Sequence, residues 1–346
     1  DAEQSLAARE IELAAERRRV TEQAGALEAG KTSAKGVRGK LERALAERAE
    51  VTHRAAEAEA EAKRLAAELE AARPREAELR DRVARLELEA QIRLAIESKS
   101  FFLEYQPKLN LKTGRLCGAE ALIRWDHPTL GRLSPDKFIP LAEESRLIIP
   151  LGHWIIDEVA RQQAAWRAEG LALVPVALNL STMQFRNDDL PQRFGNALSC
   201  YALDAELLEL EITESLLMDN PERISRQLME LDAMGIGIAI DDFGTGYSSL
   251  SYLKALPVDV LKIDRSFVHD LDNADDKVIT QAIIALAQSL NLEVVAEGAE
   301  TEEQVTMLRS LGCDVIQGYV YSRPLPAAEF ARFMRASLLK VVAEHV

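Results

Sequence analysis

Side chains able to bind a cation or move a proton recur at the ends of short apolar runs from residue 116 onward. They are Glu120 and Arg124, Asn179, Glu211 with Glu214 just beyond, Asp241-Asp242, Lys262 with Asp264, Glu297 and Gln317. Side chains alternate across a strand. Ile236, Ile238 and Ile240 would therefore share one face and Asp241 the other, and Leu208, Leu210 and Ile212 would oppose Glu211. The apolar faces can lie on outer helices while the acids point inward. Converging carboxylates cannot all stay ionised in a partly dry site without compensation. Hard divalent cations compensate them, and Mg²⁺ or Mn²⁺ prefer oxygen donors. The doublet Asp241-Asp242 beside glutamates and an asparagine suggests a two-metal site for phosphoryl chemistry. Lys262 could orient an attacking water or stabilise developing negative charge, and Arg124 could grip a phosphate through two N–H bonds. Taken singly, each acid has a plainer reading, since an aspartate at a strand end often caps the next helix. The set, spread over most strand ends of one fold, favours the cation site. Glu209 shares the Glu211 face at greater depth and reads as a structural pair.

Other chemistries find no footing. The five histidines are scattered without ligand spacing, and the three cysteines (Cys117, Cys200, Cys313) form neither a zinc motif nor a disulfide framework. No nucleophile elbow of the G-x-S-x-G kind occurs. Gly25-Ala-Leu-Glu-Ala-Gly30-Lys31-Thr32 matches a phosphate-loop pattern. That loop needs a hydrophobic strand before it, and the preceding residues read as a charged helix. A glycine-containing break between helical stretches is the better reading.

The elements that must position these residues alternate. Strand candidates are 101–109, 116–125, 174–181, 207–213, 236–241, 259–264, 292–298 and 314–320, and helix-like stretches lie between most of them. An α/β class and a (β/α)₈ barrel follow, with the acids at the strand C-termini where such barrels keep their sites. No glycine-rich dinucleotide turn follows the first strand, which argues against an open doubly wound sheet. The first two strands are joined by about four residues, whereas parallel neighbours need a crossover of roughly a dozen. The first strand should therefore run antiparallel to the second, in a modified barrel.

Residues 1–90 are written differently. They are rich in Ala, Glu, Arg and Leu, with apolar residues seven apart at Leu6, Leu13, Val20, Leu27, Ala34 and Leu41, and again at Leu65, Ala72, Leu79 and Leu86. This predicts a helical linker or parallel dimeric coiled coil, with residues 91–346 forming the barrel. Gly30, Gly36 and Gly39 should weaken the helix, and Pro74 should kink or break it. The net charge of −15 falls almost entirely after residue 100 and argues against DNA or RNA as a partner. No apolar stretch reaches the ~18 to 20 residues of a membrane helix. A cytoplasmic setting is expected for this stretch. The chain starts at Asp1 without Met, so upstream sensor or membrane-attaching segments are expected in a longer protein.

The string Glu120-Ala121-Leu122-Ile123-Arg124-Trp125 resembles the signature of EAL-domain cyclic di-GMP phosphodiesterases. The likeness continues through Tyr105–Pro107, Leu178–Ser181, Glu211–Glu214, Asp241–Leu250, Leu261–Asp264, Ala296–Gly298 and Gln317–Tyr319. The resemblance covers roughly residues 92–340, and the strings together are far more specific than any one of them. The resemblance implies hydrolysis of cyclic di-GMP to linear pGpG with two Mg²⁺ or Mn²⁺ ions. It assigns Glu120, Asn179, Glu211 and Asp241 to one metal, and Asp241 (bridging), Asp242 and Glu297 to the other. Lys262 would position the water, supported by Gln317. Gln106, Leu122, Arg124 and Asp264 would contact substrate. Glu214 would anchor the Phe243–Leu250 loop, tied in the family to dimerisation and metal-site assembly. A homodimer through the 242–257 region and the N-terminal helix is then expected. Ala299, where a larger apolar residue is more usual, is the one departure noticed. Two alternatives stand beside this reading: a barrel that binds cyclic di-GMP without cleaving it, and a coiled-coil scaffold carrying the barrel as cargo.

Overall fold

The structure is a computed structural model that describes residues 9–21, 34–98, 100–186, 189–214, 216, 220–245, 253–271 and 273–343. The phosphate-loop-like segment and residues 246–252 of the expected dimer loop lie outside them. Contacts divide the chain into Asp1–Glu87 and Leu88–Val346.

In the first unit a helix over 9–21 precedes α1 (Ala34–Ser98), which continues beyond Glu87 into the second. α1 runs through Gly36, Gly39 and Pro74, so the break expected at Pro74 does not occur. Each glycine costs only about 1 kcal/mol against alanine. Exposed ion pairs at i,i+4 spacing, such as Arg38–Glu42, Glu50–Arg54 and Arg64–Glu68, run along the helix. Arg9 pairs with Glu61, and Leu13 and Ala14 line one groove with Ala58 and Ala62. Part of the expected intermolecular seam thus has a partner within the chain itself.

The second unit is a closed eight-stranded barrel. Its ring runs β1 (Phe101–Asn110), β9 (Val315–Gln317), β8 (Glu293–Glu297), β7 (Val260–Ile263), β6 (Gly237–Phe243), β5 (Leu208–Thr213), β4 (Val176–Asn179), β2 (Leu116–His127) and back to β1. β1 is antiparallel to both neighbours and every other ring pairing is parallel. The hairpin closes because Asn110 Oδ1 accepts the amides of Lys112 and Thr113, and Gly114 turns with φ +66°. Two short strands, β3 (Gly131–Leu133) and β10 (Leu325–Pro326), flank the ring. Two or three residues carry too little periodicity to be read from sequence.

Helices α2 (Pro135–Glu144), α3 (Ile148–Ala168), α4 (Thr182–Phe185), α5 (Leu190–Tyr201), α6 (Pro221–Ala233), α7 (Arg265–His269), α8 (Ala274–Ser289), α9 (Glu302–Leu311) and α10 (Ala327–Ala343) connect or follow the strands. The main core lies between strands and helices. It takes up Leu208, Leu210, Ile212, Ile236, Ile238 and Ile240, the apolar faces opposite the acids. A smaller cluster of Ala239, Val260, Val295 and Val315 fills the barrel axis below the rim. No described helix is long and apolar enough to cross a membrane.

Candidate functional site

The C-terminal rim gathers a charge cluster around Lys262, whose side chain is wholly buried. Lys262 Nζ lies 2.5 Å from Glu297 Oε1, 2.6 Å from Glu211 Oε2, 3.1 Å from Asp241 Oδ1 and 3.7 Å from Glu120 Oε2. These residues come from β2, β5, β6, β7 and β8. The parallel ladders carry them to the C-terminal ends of their strands: Asn179 pairs with Glu211 and Glu297 with Gln317, while Asp241, paired with Thr213, lies two residues beyond the partner of Glu211. Glu120 is clasped by two amides, with Asn179 Nδ2 donating to Oε1 at 2.6 Å and Gln317 Nε2 to Oε2 at 2.5 Å. Gln317 Nε2 also donates to Gln106 Oε1 at 3.2 Å.

Consecutive strand residues point to opposite faces, so Asp241 and Asp242 need a device to work together. The β6–β7 register shifts between Ile240 and Phe243, and Asp242 has φ +53°. Such backbone is strained for a non-glycine residue and clusters at functional sites. It brings Asp242 into hydrogen-bonding contact with Asp264 and within range of the charges of Asp241 and Lys262. Asp264 also accepts from the Ser266 amide at 3.0 Å, capping α7. Glu214 is buried and its Oε2 accepts from Gly244 N at 3.2 Å, tying down the start of the following loop. The rest of that loop lies largely outside the described residues.

Charge divides unevenly within the cluster. Burial pushes the Glu297 carboxyl up to about 8, with Asp241 and Glu120 adding to the effect and Lys262 opposing it. Burial and then Glu211 likewise raise Glu120. Glu211 is as buried, yet Lys108 and Lys262 together outweigh burial and hold it down at about 2. Asp242 is pushed up to about 6 by burial, by Asp241 and by Asp264. Lys262 is held well above its ordinary value, because the four carboxylates outweigh the cost of burying an ammonium.

The residues present fit a divalent cation. The donors are all oxygens, as hard cations require. The contacts to Lys262 are close but lack hydrogen-bond geometry, so Glu211 Oε2 and Glu297 Oε1 are buried acceptors without a directed donor. Among the described residues no three acids already stand in a ligating arrangement. The ammonium of Lys262 holds the point they face.

A cavity of about 480 Å³ opens beside the cluster, lined by Gln106, Glu120, Leu122, Glu297 and Gln317 on one side. Arg265, His269, Glu300 and Tyr319 line it further out. Arg323 lies over the Tyr319 ring, 4.4 Å from its centre. Arg124 is more constrained than its sequence suggests. Its Nε donates to Glu104 at 2.8 Å and its Nη1 to the Ile123 carbonyl at 2.9 Å. Glu104 also receives Arg132 at 2.9 Å. Sequence reasoning missed Glu104, the outer cavity residues and Lys108. Period-two alternation with Gln106, which puts Glu104 and Lys108 on the same strand face, was the available signal.

The chain is 46% identical over 246 residues to the bifunctional diguanylate cyclase/cyclic di-GMP phosphodiesterase MucR of Pseudomonas aeruginosa, covering 71% of this chain and 36% of MucR. It is 44% identical over 252 residues to the cyclic di-GMP phosphodiesterase NbdA of the same species, covering 72% and 32%. The oxygen sensor protein DosP of Escherichia coli is 44% identical over 256 residues, covering 73% and 32%. The chain thus spans about a third of the length of these relatives. A solved complex of the MucR phosphodiesterase with c-di-GMP superposes with a TM-score of 0.68 at 46% identity, covering 70% of this chain and 99% of that one. The EAL enzyme Bd1971 in its cGMP-bound form gives 0.69 at 35% identity, covering 74% and 71%. A model of the EAL domain matches residues 89–324, and on that match the chain belongs to the EAL-domain family.

Proposed function

We propose that this chain hydrolyses cyclic di-GMP to linear pGpG with the help of two Mg²⁺ or Mn²⁺ ions. Glu120, Asn179, Glu211 and Asp241 would hold one ion, and Asp241, Asp242 and Glu297 the other. Such a pair, when bound, makes water a better nucleophile and offsets charge on the attacking and leaving oxygens. The chain's own groups do the positioning. Lys262, already among the carboxylates, orients the water and meets negative charge as it develops. Gln317 holds Glu120 and links it to Gln106. Gln106, Leu122, Arg124 and Asp264 seat the nucleotide. Water adds at one phosphorus, the P–O3′ bond breaks, and the departing 3′-oxygen takes up a proton, leaving a 5′-phosphate on the linear product.

The observation that carries this reading is the convergence of Glu120, Glu211, Asp241 and Glu297 on one buried lysine beside the cavity. The relatives named for this activity support the same chemistry. The test is chromatography of products from cyclic di-GMP with added Mg²⁺, Mn²⁺ or Ca²⁺. Stoichiometric pGpG with Mg²⁺ or Mn²⁺ is expected. Tight nucleotide binding without product would instead make the barrel a binding module.

The same reading takes residues 1–90 as a dimerising segment that governs the barrel at residues 91–346, together with the 242–257 region. Leu41, Leu79, Val83 and Leu86 are exposed on the helix and supply an apolar surface for a second copy. Light scattering of the full chain should give twice the mass of the chain, and removal of residues 1–87 should lower it.

A further inference from the structure

Below the rim, Lys108 lies almost wholly buried inside the barrel, an unusual place for an ammonium. Its Nζ is 2.6 Å from Glu209 Oε1 and 2.8 Å from Glu211 Oε1, with both hydrogen bonds formed. The other oxygen of Glu211, Oε2, is the one that faces Lys262 at 2.6 Å. One carboxylate is therefore held from below by one lysine and presented upward to another. The sequence makes room for this. Lys108 stands opposite Gly118 in the β1–β2 ladder, and Glu209 opposite Gly237 in the β5–β6 ladder. A Cβ on Gly118 would already touch Lys108 Cδ at 3.5 Å, and one on Gly237 would touch Glu209 Cγ at 3.6 Å. Larger side chains at either place would compete with the pair for space.

We propose that Lys108 is a positioning residue for the cation site: by fixing Glu211 Oε1, it turns Oε2 alone toward the rim cluster. This rests on reading Glu211 as a metal ligand. Glu209 balances the buried charge of Lys108 and has no part in aiming Glu211. Partners that hold a ligating carboxylate typically contribute about 10- to 100-fold to metal affinity.

Removing the lysine alone would leave Glu209 buried and unpaired, which confuses fold with function. The variant K108M/E209M removes one charge of each sign and leaves the net charge unchanged. Buried ion pairs replaced by apolar side chains often keep or raise stability. The full chain, K108M/E209M, E209Q and E211A are titrated with MnCl₂ and free Mn²⁺ is read by electron paramagnetic resonance, with thermal melting as the check on folding. The expected result is roughly tenfold or greater loss of Mn²⁺ affinity in K108M/E209M, a cooperative melt in the same variant, and E209Q within about threefold of the unaltered chain. Wild-type affinity in K108M/E209M, with binding lost in E211A, overturns the role of Lys108 and leaves the cation site intact. Undiminished binding in E211A overturns the ligand reading of Glu211 and this inference with it. Equal weakening in E209Q and K108M/E209M also overturns the inference, because Glu209 would then matter as much as the bond from Lys108. If K108M/E209M loses its cooperative melt, K108M/E209Q, which also removes both charges, decides by the same titration, with wild-type affinity overturning the proposal.

Discussion

Glu120 joins the cluster to the cavity. Its two oxygens accept the amides of Asn179 and Gln317, and one of them also faces Lys262. Glu120→Ala would leave both amides without their acceptor and remove a charge from the cation site. Turnover of cyclic di-GMP should fall by at least about a hundredfold, and the same holds for Asp241→Ala; pGpG formation by either variant at near the unaltered rate would defeat the assignment. Glu104 is a quieter case. It holds the Arg124 guanidinium through Nε and takes Arg132 on its other oxygen. Glu104→Gln should release Arg124 and raise KM for cyclic di-GMP several-fold while kcat changes little, as expected for a group that acts by seating substrate. A KM equal to that of the unaltered chain would show that Arg124 needs no such support. The rim acids are legible in the sequence because each ends an apolar run and because so many do so together. Glu104 and Lys108 are not, because a charged residue in a strand is ordinarily read as solvated. Alternation with Gln106 gives their strand face, but their burial depends on partners 20 to 103 residues away in the chain, which alternation does not name.

Among the elements, the antiparallel first strand is legible because a short connection cannot bring a chain back parallel to itself. Most ring strands are legible because an apolar outer face alternates with a polar or small inner one, whereas the three-residue β9 is legible only as part of the longer apolar run over 314–320. The bulge in β6 is not legible. Alternation alone sends Asp241 and Asp242 to opposite faces, and only the register shift with the positive φ of Asp242 brings both to the rim. Helix starts near the site carry ordinary capping chemistry. Thr301 Oγ1 accepts from Gln304 N at 3.3 Å, and Gln304 Oε1 accepts from Thr301 N at 3.1 Å. This capping box opens α9, which follows the strand that ends in Glu297. Thr301→Ala should cost about 1 kcal/mol and lower the melting temperature by roughly 2–4 °C. Activity per folded molecule should stay unchanged at 25 °C. A larger loss of activity than of stability would mean that α9 helps to place Glu297.

At the scale of the whole molecule, the barrel's core reaches back into α1. Ile92 and Ala95 belong to the main core, with Leu88 and Ile96 packed against it. Gln91 Oε1 accepts from His127 Nε2 at 2.6 Å, while His127 Nδ1 receives the amides of Thr129 and Leu130 at 3.2 and 3.1 Å. The ring is therefore fixed as the Nε2–H tautomer and ties the last turns of the helix to the end of β2. Fully buried apolar residues along α1 begin at Ile92, three residues after the start of the family match, with half-buried Leu88 just before it. The seven-residue apolar spacing ends at Leu86, with Arg93 at the next such position, so the sequence boundary at residues 90 and 91 falls within a few residues of this change. Two truncations separate the parts. A chain beginning at residue 88 keeps Leu88, Gln91, Ile92 and Ala95 and should melt cooperatively near the temperature of the barrel in the full chain. A chain beginning at residue 99 loses them all. Removing the Ile92 side chain alone should cost about 2–5 kcal/mol, and that loss should appear in Ile92→Ala as a clear drop in melting temperature. The shorter truncate should be less stable still. If it melts with the longer one, the last turns of α1 are bystanders to the barrel, and any influence of the N-terminal helix on the rim must reach it by another route than β2.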